Sequence, residues 1–468
     1  MTIARHLLAL SLVVSTVSSA QALRPDQAAF RELYKELVET NTTLSAGSCT
    51  LAAAQLATRL RTAGFTDADL TPFAISEKPK EGGLVAILQG SDRKARPMLL
   101  LAHIDVVEAK REDWTRDPFT LIEEDGYFYA RGASDDKAQA AIFTDILIRM
   151  KASGVKPRRA VKLALTCGEE TNGAFNGAEY LAANKRDLID AAFALNEGGG
   201  GRLTSDGKPN MLALQVGEKM SHNYVLETIN KGGHSSMPRP DNAIYSLVGA
   251  VAKVRDHVFP VVLTTTTRAF FTKMSTAADG PGAAAMAAIV ANPQDAAAAA
   301  LLSKDPSLNS TLRTTCVTTL LDAGHAENAL PQRARANVNC RIIPGETIDG
   351  TRDALERIIG DTAVKVTPKA ARGPLAKAPP LDPAIVGPIE ALAARFFPGI
   401  PVVPVQSTGA SDAVFLAAVG IPTYGVPGIF YDADGGGIHG LNERIRVKSV
   451  YDGRDYLFEL VKIFASTK

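Results

Sequence analysis

From about Ala28 to Val216 the chain alternates amphipathic, helix-like stretches with short apolar runs, and this alternation constrains the fold more than any other feature. "AAAQLATRLRTAGF" reads as a helix ending at Gly64, and "DKAQAAIFTDILIRMKASG" as a second one. "GGLVAILQG", "PMLLLAHIDVV", "RAVKLALTCGEE" and "AAFALNEGGG" read as strands. Runs this dense in aliphatic residues are buried on both faces. Strands separated by helical patterns therefore predict the α/β class, with a mostly parallel, doubly wound sheet. Ligands of such sheets bind beyond the carboxyl ends of the strands.

The polar residues that interrupt the apolar runs fall at those ends. His103 and Asp105 sit near the end of "LLLAHIDVV", where an imidazole and a carboxylate cost free energy unless something pairs with them. Glu169 and Glu170 end a second strand, and Asn196 and Glu197 a third. Asp135 and Asp136 lie in "RGASDDKAQA", a loop running into a helix. All of them are predicted to meet on one rim.

Beyond Lys219 the character changes. "HNYVLETINKGGHSS" and "RTTCVTTLLDAGHAENALPQRARANVNCRIIPGE" read as strands of a small α+β unit, with "AIYSLVGAVAKV" as a helix between them. Residues 282–302 are alanine-rich and read as an added helical excursion. After "VKVTPKAARGPLAKAPP" the helix-strand alternation returns. The predicted organisation is a catalytic domain in two parts, 23–218 and 371–468, with a smaller lid domain inserted at 219–370.

Length alone allows roughly three domains. With 51 basic and 50 acidic residues, net charge +1, the chain lacks the basic footprint of a nucleic-acid binder, so a small molecule or another protein is the expected partner. Arg5, an apolar stretch from Leu7 to Val17 and then Ala20-Gln21-Ala22 read as a signal peptide, residues 1–22, cleaved after Ala22. The apolar stretch is shorter than the ~20 residues a membrane span needs. A secreted or periplasmic chain without a span is therefore expected. Of the four cysteines, Cys49, Cys167, Cys316 and Cys340, none forms a C-x-x-C pair. Cys316 and Cys340 lie in strand-like segments able to run side by side, and their spacing leaves a disulfide open.

Groups with metal-ligand chemistry at the strand ends are His103, Asp135, Glu170, Glu197 and, much later, His439 in "DGGGIHGLNERI". Two imidazoles and three carboxylates suit a pair of zinc-like ions with one carboxylate bridging. Asp105, two positions beyond His103, is expected on the same strand face, where its carboxylate orients the imidazole. Any one of these acids alone is more often a solvated loop charge. The joint pattern at the ends of one sheet is what points to metals.

In order along the chain, "AHIDVV", Trp114, "DPF", "RGASDDK", "GEETNGAFNGAEYL", "NEGG", "GGHSSMPRPDNAI", "NALPQRARANVNCRIIPGE" and "GGGIHGLNER" resemble the co-catalytic zinc exopeptidases that include aminoacylase, carboxypeptidase S and glutamate carboxypeptidase. The nearest resemblance is to the carboxypeptidase S and N-acyl-amino-acid hydrolase branch. It implies His103 and Glu197 on one zinc, Glu170 and His439 on the other, Asp135 bridging, and a cis peptide between Asp135 and Asp136. Glu169 falls at the family's general base. Gly168 departs from many relatives, which carry an acid there. His234 in "GGHSS" resembles the lid histidine that stabilises the oxyanion, and Asn328 and Arg341 match substrate-facing positions. Gly409 in "STGASDA", ahead of a helix, is placed to offer backbone N–H groups to an anion. A homodimer through the lid is also implied.

The expected activity is zinc-dependent cleavage of an amide bond in peptides or N-acyl amino acids bearing a free carboxylate. Between two such ions water becomes acidic near neutral pH, and a neighbouring carboxylate carries its proton to the leaving nitrogen. A binding-only protein on the same scaffold is the competing reading, but such a descendant is expected to lose the base or a ligand, and none is missing here. A dipeptidase or deacylase of another branch is separable only by substrate profiling.

Overall fold

The computed structural model describes residues 23–467 apart from 155, 172, 173, 278, 372, 375, 376 and 427. The expected signal peptide lies outside the described residues. Among them, no helix is long and apolar enough to cross a membrane.

A ten-stranded sheet carries the chain's main cores. At its centre Val161–Thr166, Met98–His103, Phe193–Asn196 and Thr423–Gly425 run parallel in that order. Antiparallel strands flank them: Lys78–Leu88 on one side, Pro209–Glu218 on the other. Val402–Ser407 pairs parallel with Pro209–Glu218. The strand Met98–His103 is buried throughout, as its aliphatic run predicts. Met98, Leu100 and Ala102 enter the larger core with Phe143 and Ile146 of the helix Lys137–Ala152 and Leu457 of the helix Val447–Ser466. Leu99 and Leu101 turn to the opposite face, against Leu181 and Leu416. This alternation about one strand, with helices on both sides, is the doubly wound arrangement.

A second sheet of four antiparallel strands has the order Thr315–Ala323, Arg333–Ile342, Met220–Ile229, Val364–Pro368. Helices Ala243–Asp256 and Ile348–Ile359 cover one face through Leu247, Ala250, Val254 and Leu355. Cys316 stands opposite Cys340, and the two form a disulfide. A second disulfide joins Cys49 to Cys167 across 118 residues, a separation that carries no signal in the spacing. A two-stranded ribbon, Gly233–His234 with Ala329–Leu330, lies outside both sheets. The alanine-rich excursion forms the helices Pro281–Ala291 and Ala296–Leu302. They pack with Phe271 of the helix Thr265–Ala277, which leans on the large sheet: Thr266 Oγ1 donates to Val216 O at 3.0 Å and Lys273 Nζ to Val402 O at 2.9 Å.

Candidate metal centre

Three parallel strands and two loops deliver the predicted ligands to one point. His103 Nε2 lies 3.1 Å from Asp135 Oδ1 and 3.7 Å from Glu197 Oε2. On the other side, His439 Nε2 lies 2.9 Å from Glu170 Oε2 and 3.3 Å from Asp135 Oδ2. Asp135 thus turns one carboxylate oxygen to each imidazole. The Asp135–Asp136 peptide is cis. Glu169 stands with His103 and Glu197, each offering a ligand atom within 4.8 Å of the others.

Asp105 reaches this place by a different route from the one the strand period predicts. The strand ends at His103, and Asp105 bends into the following loop. His103 Nδ1 lies 3.1 Å from the Asp105 carbonyl oxygen and 3.6 Å from its carboxylate. An Nδ1–H donated to that carbonyl is the arrangement that would leave Nε2 free for an ion held with Asp135 and Glu197. The Asp105 carboxylate instead accepts the backbone N–H groups of Glu169 at 3.4 Å and Glu170 at 3.1 Å. One residue therefore orients the imidazole and also holds the glutamate turn. Gly168, just before that turn, has φ +91°, and a Cβ there would lie 2.0 Å from Phe175 O. This is a backbone that only glycine adopts without strain.

Two residues that motif reading left without a role brace the ligands. Glu443 is fully buried and accepts from Arg131 Nη1 at 2.7 Å and from the N–H groups of Gly132, Ser134 and Asp135 at 3.0, 2.8 and 3.1 Å. Arg131 Nη2 donates to Gly440 O at 2.7 Å, and its guanidinium lies 5.0 Å from the Trp114 ring centre. The loop of Asp135 and the loop of His439 are thereby tied to one buried ion pair. Both residues sit inside motifs quoted above, "RGASDDK" and "GGGIHGLNER", which was the signal available for them.

The electrostatics fit cations. Two imidazoles face the carboxylates of Asp105, Asp135, Glu169, Glu170 and Glu197. Burial, reinforced by Glu197, pushes the Glu169 carboxyl up to about 10. Hydrogen bonds to Asp135 and Glu170 raise His439 to about 10. Burial works against a charge on His103, yet Glu197 and hydrogen bonds to Asp105, Asp135 and Glu197 outweigh it and raise its pKa. Protons here compensate an excess of negative charge that divalent ions compensate better, and an all-nitrogen-and-oxygen donor set suits zinc.

A model of peptidase family M20/M25/M40 matches residues 99–463, more than half of the chain and all of these side chains. The chain belongs to that family. As an M20 peptidase it is a hydrolase of amide bonds. It is 30% identical to the human N-fatty-acyl-amino acid synthase/hydrolase PM20D1, over 84% of this chain and 79% of the relative. A probable carboxypeptidase S-like 2 of Dictyostelium discoideum is 28% identical over 81% of this chain and 74% of its own. Among solved structures, an M20 family metallo-carboxypeptidase, Sso-CP2 from Sulfolobus solfataricus, superposes with a TM-score of 0.69 at 18% identity, covering 95% of this chain and all of its own. Human carnosine dipeptidase 1 superposes at 0.63 and 17% identity, over 94% of this chain and 96% of its own.

In this M20 chain the hydrogen bonds of His234, Asn328 and Arg341 go to residues outside the ligand rim. His234 is exposed on the ribbon, opposite Ala329, and its Nδ1 accepts the Ser236 N–H at 3.1 Å. That bond places the proton of a neutral ring on Nε2. Asn328 is exposed beside it, its carbonyl accepting from Ser235 N at 3.0 Å. Arg341 is half-buried between Cys340 and Ile342, which face the core. Its Nη1 donates to Thr408 O at 3.3 Å, which brings it beside Gly409. The Gly409 N–H differs from expectation: it already donates to Ser407 Oγ at 3.0 Å and is not free for an anion. Sequence reasoning also missed Asp412, whose carboxylate accepts from Thr166 Oγ1 at 3.0 Å and Asn176 Nδ2 at 2.7 Å behind the rim, and which burial raises to about 7.

Proposed function

We propose that the chain is a di-zinc amidohydrolase that cleaves the amide bond of N-acyl amino acids, and of peptides, that end in a free carboxylate. The observation that carries this reading is Asp135, with one oxygen 3.1 Å from His103 Nε2 and the other 3.3 Å from His439 Nε2. His103, Glu197 and Asp135 would hold one ion, and Glu170, His439 and Asp135 the other. Bound divalent ions supply Lewis acidity at the scissile carbonyl and at the attacking water. Glu169 takes the proton of that water on its carboxylate and returns it to the leaving nitrogen. With ions held there, the Glu169 carboxyl would sit below the high value that burial imposes, nearer the range a proton carrier needs. His234 Nε2–H donates to the developing oxyanion when the lid is over the substrate. Arg341 reads the terminal carboxylate with its planar fork, and Asn328 lines the same substrate face. The name of the human relative, an N-fatty-acyl-amino acid synthase/hydrolase, supports an acyl group on the other side of the bond.

Three further readings belong with this proposal. Residues 219–370 form the lid, with its helical excursion leaning on the catalytic sheet. The chain works in a secreted or periplasmic compartment, which its two disulfides support. A second copy pairs through the lid, where the edge strand Thr315–Ala323 leaves Val317, Leu320 and Leu321 exposed.

The test is hydrolysis by the zinc-loaded protein of N-acyl amino acids and of their C-terminal amides. Activity on the acids is expected, lost on chelation and restored by zinc, with two ions per chain by elemental analysis. Active, freshly purified protein holding one metal or none overturns the di-metal reading. Arg341→Ala is expected to lose the preference for acid over amide while keeping its metals, and unchanged discrimination moves that role to another group.

A further inference from the structure

The turn that carries Glu169 and Glu170 belongs to no regular element. The strand Val161–Thr166 ends before it, and the next helix begins only at Gly177. Cross-links hold it instead. On its far side the Asp105 carboxylate takes both N–H groups, with the longer bond, 3.4 Å against 3.1 Å, going to Glu169. On its near side Gly177 N donates to Cys167 O at 2.7 Å, and the Cys167 side chain is bonded to Cys49. Cys49 is the first residue of the helix Cys49–Thr62, whose Ala52, Ala53, Leu56 and Leu60 sit in the main core. The disulfide therefore fastens the residue two before Glu169 to a rigid body.

Both sulfurs belong to buried residues, yet the bond lines a cavity of about 330 Å³ together with Thr42, Leu44, Asp105, Gly168 and Thr171. That cavity is the side from which a small reductant would approach the bond. We propose that the Cys49–Cys167 disulfide is a positioning group for the hydrolysis, keeping the Glu169 carboxylate in register with His103 and Glu197, and that its reduction by a small dithiol turns catalysis down. In that step two electrons pass from the dithiol to the protein S–S bond, which breaks. Cys49 and Cys167 end as thiols with the two protons, and the dithiol closes into its own disulfide. The inference rests on the reading of Glu169 as the base. Because Asp105 grips Glu170 more closely, the metal ligand keeps its place better than the base does.

The experiment compares kcat, KM and metal content of the full chain before and after treatment with dithiothreitol, with zinc replenished and thiols mapped by alkylation. Reduction of Cys49–Cys167 is expected to lower kcat on the order of 10-fold or more, since a misplacement of about 1 Å can cost ~100-fold. KM and bound zinc stay nearly unchanged, and reoxidation restores activity. The Cys49→Ser/Cys167→Ser chain should show the low kcat without reductant and ignore it, while Cys316→Ser/Cys340→Ser should respond like the natural chain. A folded, reduced enzyme with unchanged kcat overturns the proposal. If the serine variant misfolds, the reduced natural chain decides, and its unfolding on reduction would make the bond a stability staple only, which also overturns the proposal. If neither redox state hydrolyses any substrate, the proposed activity fails separately. Amide exchange at 168–171 then decides: faster exchange on reduction supports the positioning role, and unchanged exchange rejects it.

Discussion

His103 and His234 both sit in motifs that point to the same reaction, yet their surroundings differ as much as two histidines in one chain can. His103 is 2% exposed, with carboxylates of Asp105, Asp135 and Glu197 around its ring and its strand buried on both faces. His234 is exposed on a two-residue strand, and its ring contacts Ser236. The rim is preorganised by buried bonds that exist before any substrate arrives. The ribbon has little packing of its own and acquires its place from the position of the lid. Residues that ligate or brace the rim should therefore set metal binding and stability, and residues of the ribbon should act mainly on turnover.

The largest effect expected within the rim separates its two adjacent glutamates. Glu169→Gln should lower kcat by about 10²–10⁴-fold with both metals retained, because it removes a proton carrier and no ligand. Glu170→Gln should lose metal instead. Elemental analysis of both variants checks this, and equal metal loss would erase the distinction between base and ligand.

His234→Ala should lower kcat by roughly 10²–10³-fold, the range of a lost oxyanion donor, and should change KM less. Melting temperature and zinc content should match the natural chain, since the side chain is exposed. A lower melting temperature or lost zinc would break the contrast between ribbon and rim.

Glu443→Gln tests the brace. It leaves Arg131 buried without its charge partner, in a pair whose side chains are 3% and 1% exposed. Zinc affinity should fall about 10–100-fold, as for other groups that orient ligands. Stability should fall by roughly 3–5 kcal/mol, as when one partner of a buried pair is removed. Competition with a chelating dye and thermal melts read the two effects, and unchanged zinc affinity would show that the ligand loops stand without Glu443.

The smallest effect belongs to the junction between the two sheets. Glu218 has one carboxylate oxygen bonded to Ser411 Oγ at 3.0 Å and the other enclosed without a hydrogen-bond partner. Burial raises its pKa from 4.5 to about 8. A raised folded-state pKa gives stability that is complete below the unfolded value and is lost as pH rises through the folded one. Glu218→Gln removes that loss. The melting temperature of the variant should gain on the natural chain between pH 5 and pH 8, and parallel curves would show that Glu218 does not titrate there.

Part of the rim was legible because some of its residues close segments whose period identifies them, while Asp135 and His439 sit in loops that only the joint pattern and the motifs marked. His103 closes an aliphatic run, Glu197 closes another, and a parallel sheet brings such ends together. Asp105 was placed near the site for the wrong geometric reason, because the chain leaves the strand at His103 and the two-residue alternation stops with it. The Arg131–Glu443 pair spans 312 positions, and no local pattern connects them. Gly409 looked available because a sequence does not reveal that a serine hydroxyl two residues earlier already takes its N–H.

Local periodicity and residue chemistry determined the class of fold, the direction of the central strands and the donor types that converge at their ends, since burial patterns and ligand softness are properties of neighbours along the chain. Only the tertiary structure decided which carboxylate oxygen faces which imidazole, which acid holds the catalytic turn and which cysteines are joined. Those outcomes depend on distances between segments 24 to 269 or more residues apart in the chain. Such distances are set by packing of the whole core, and no single segment carries them.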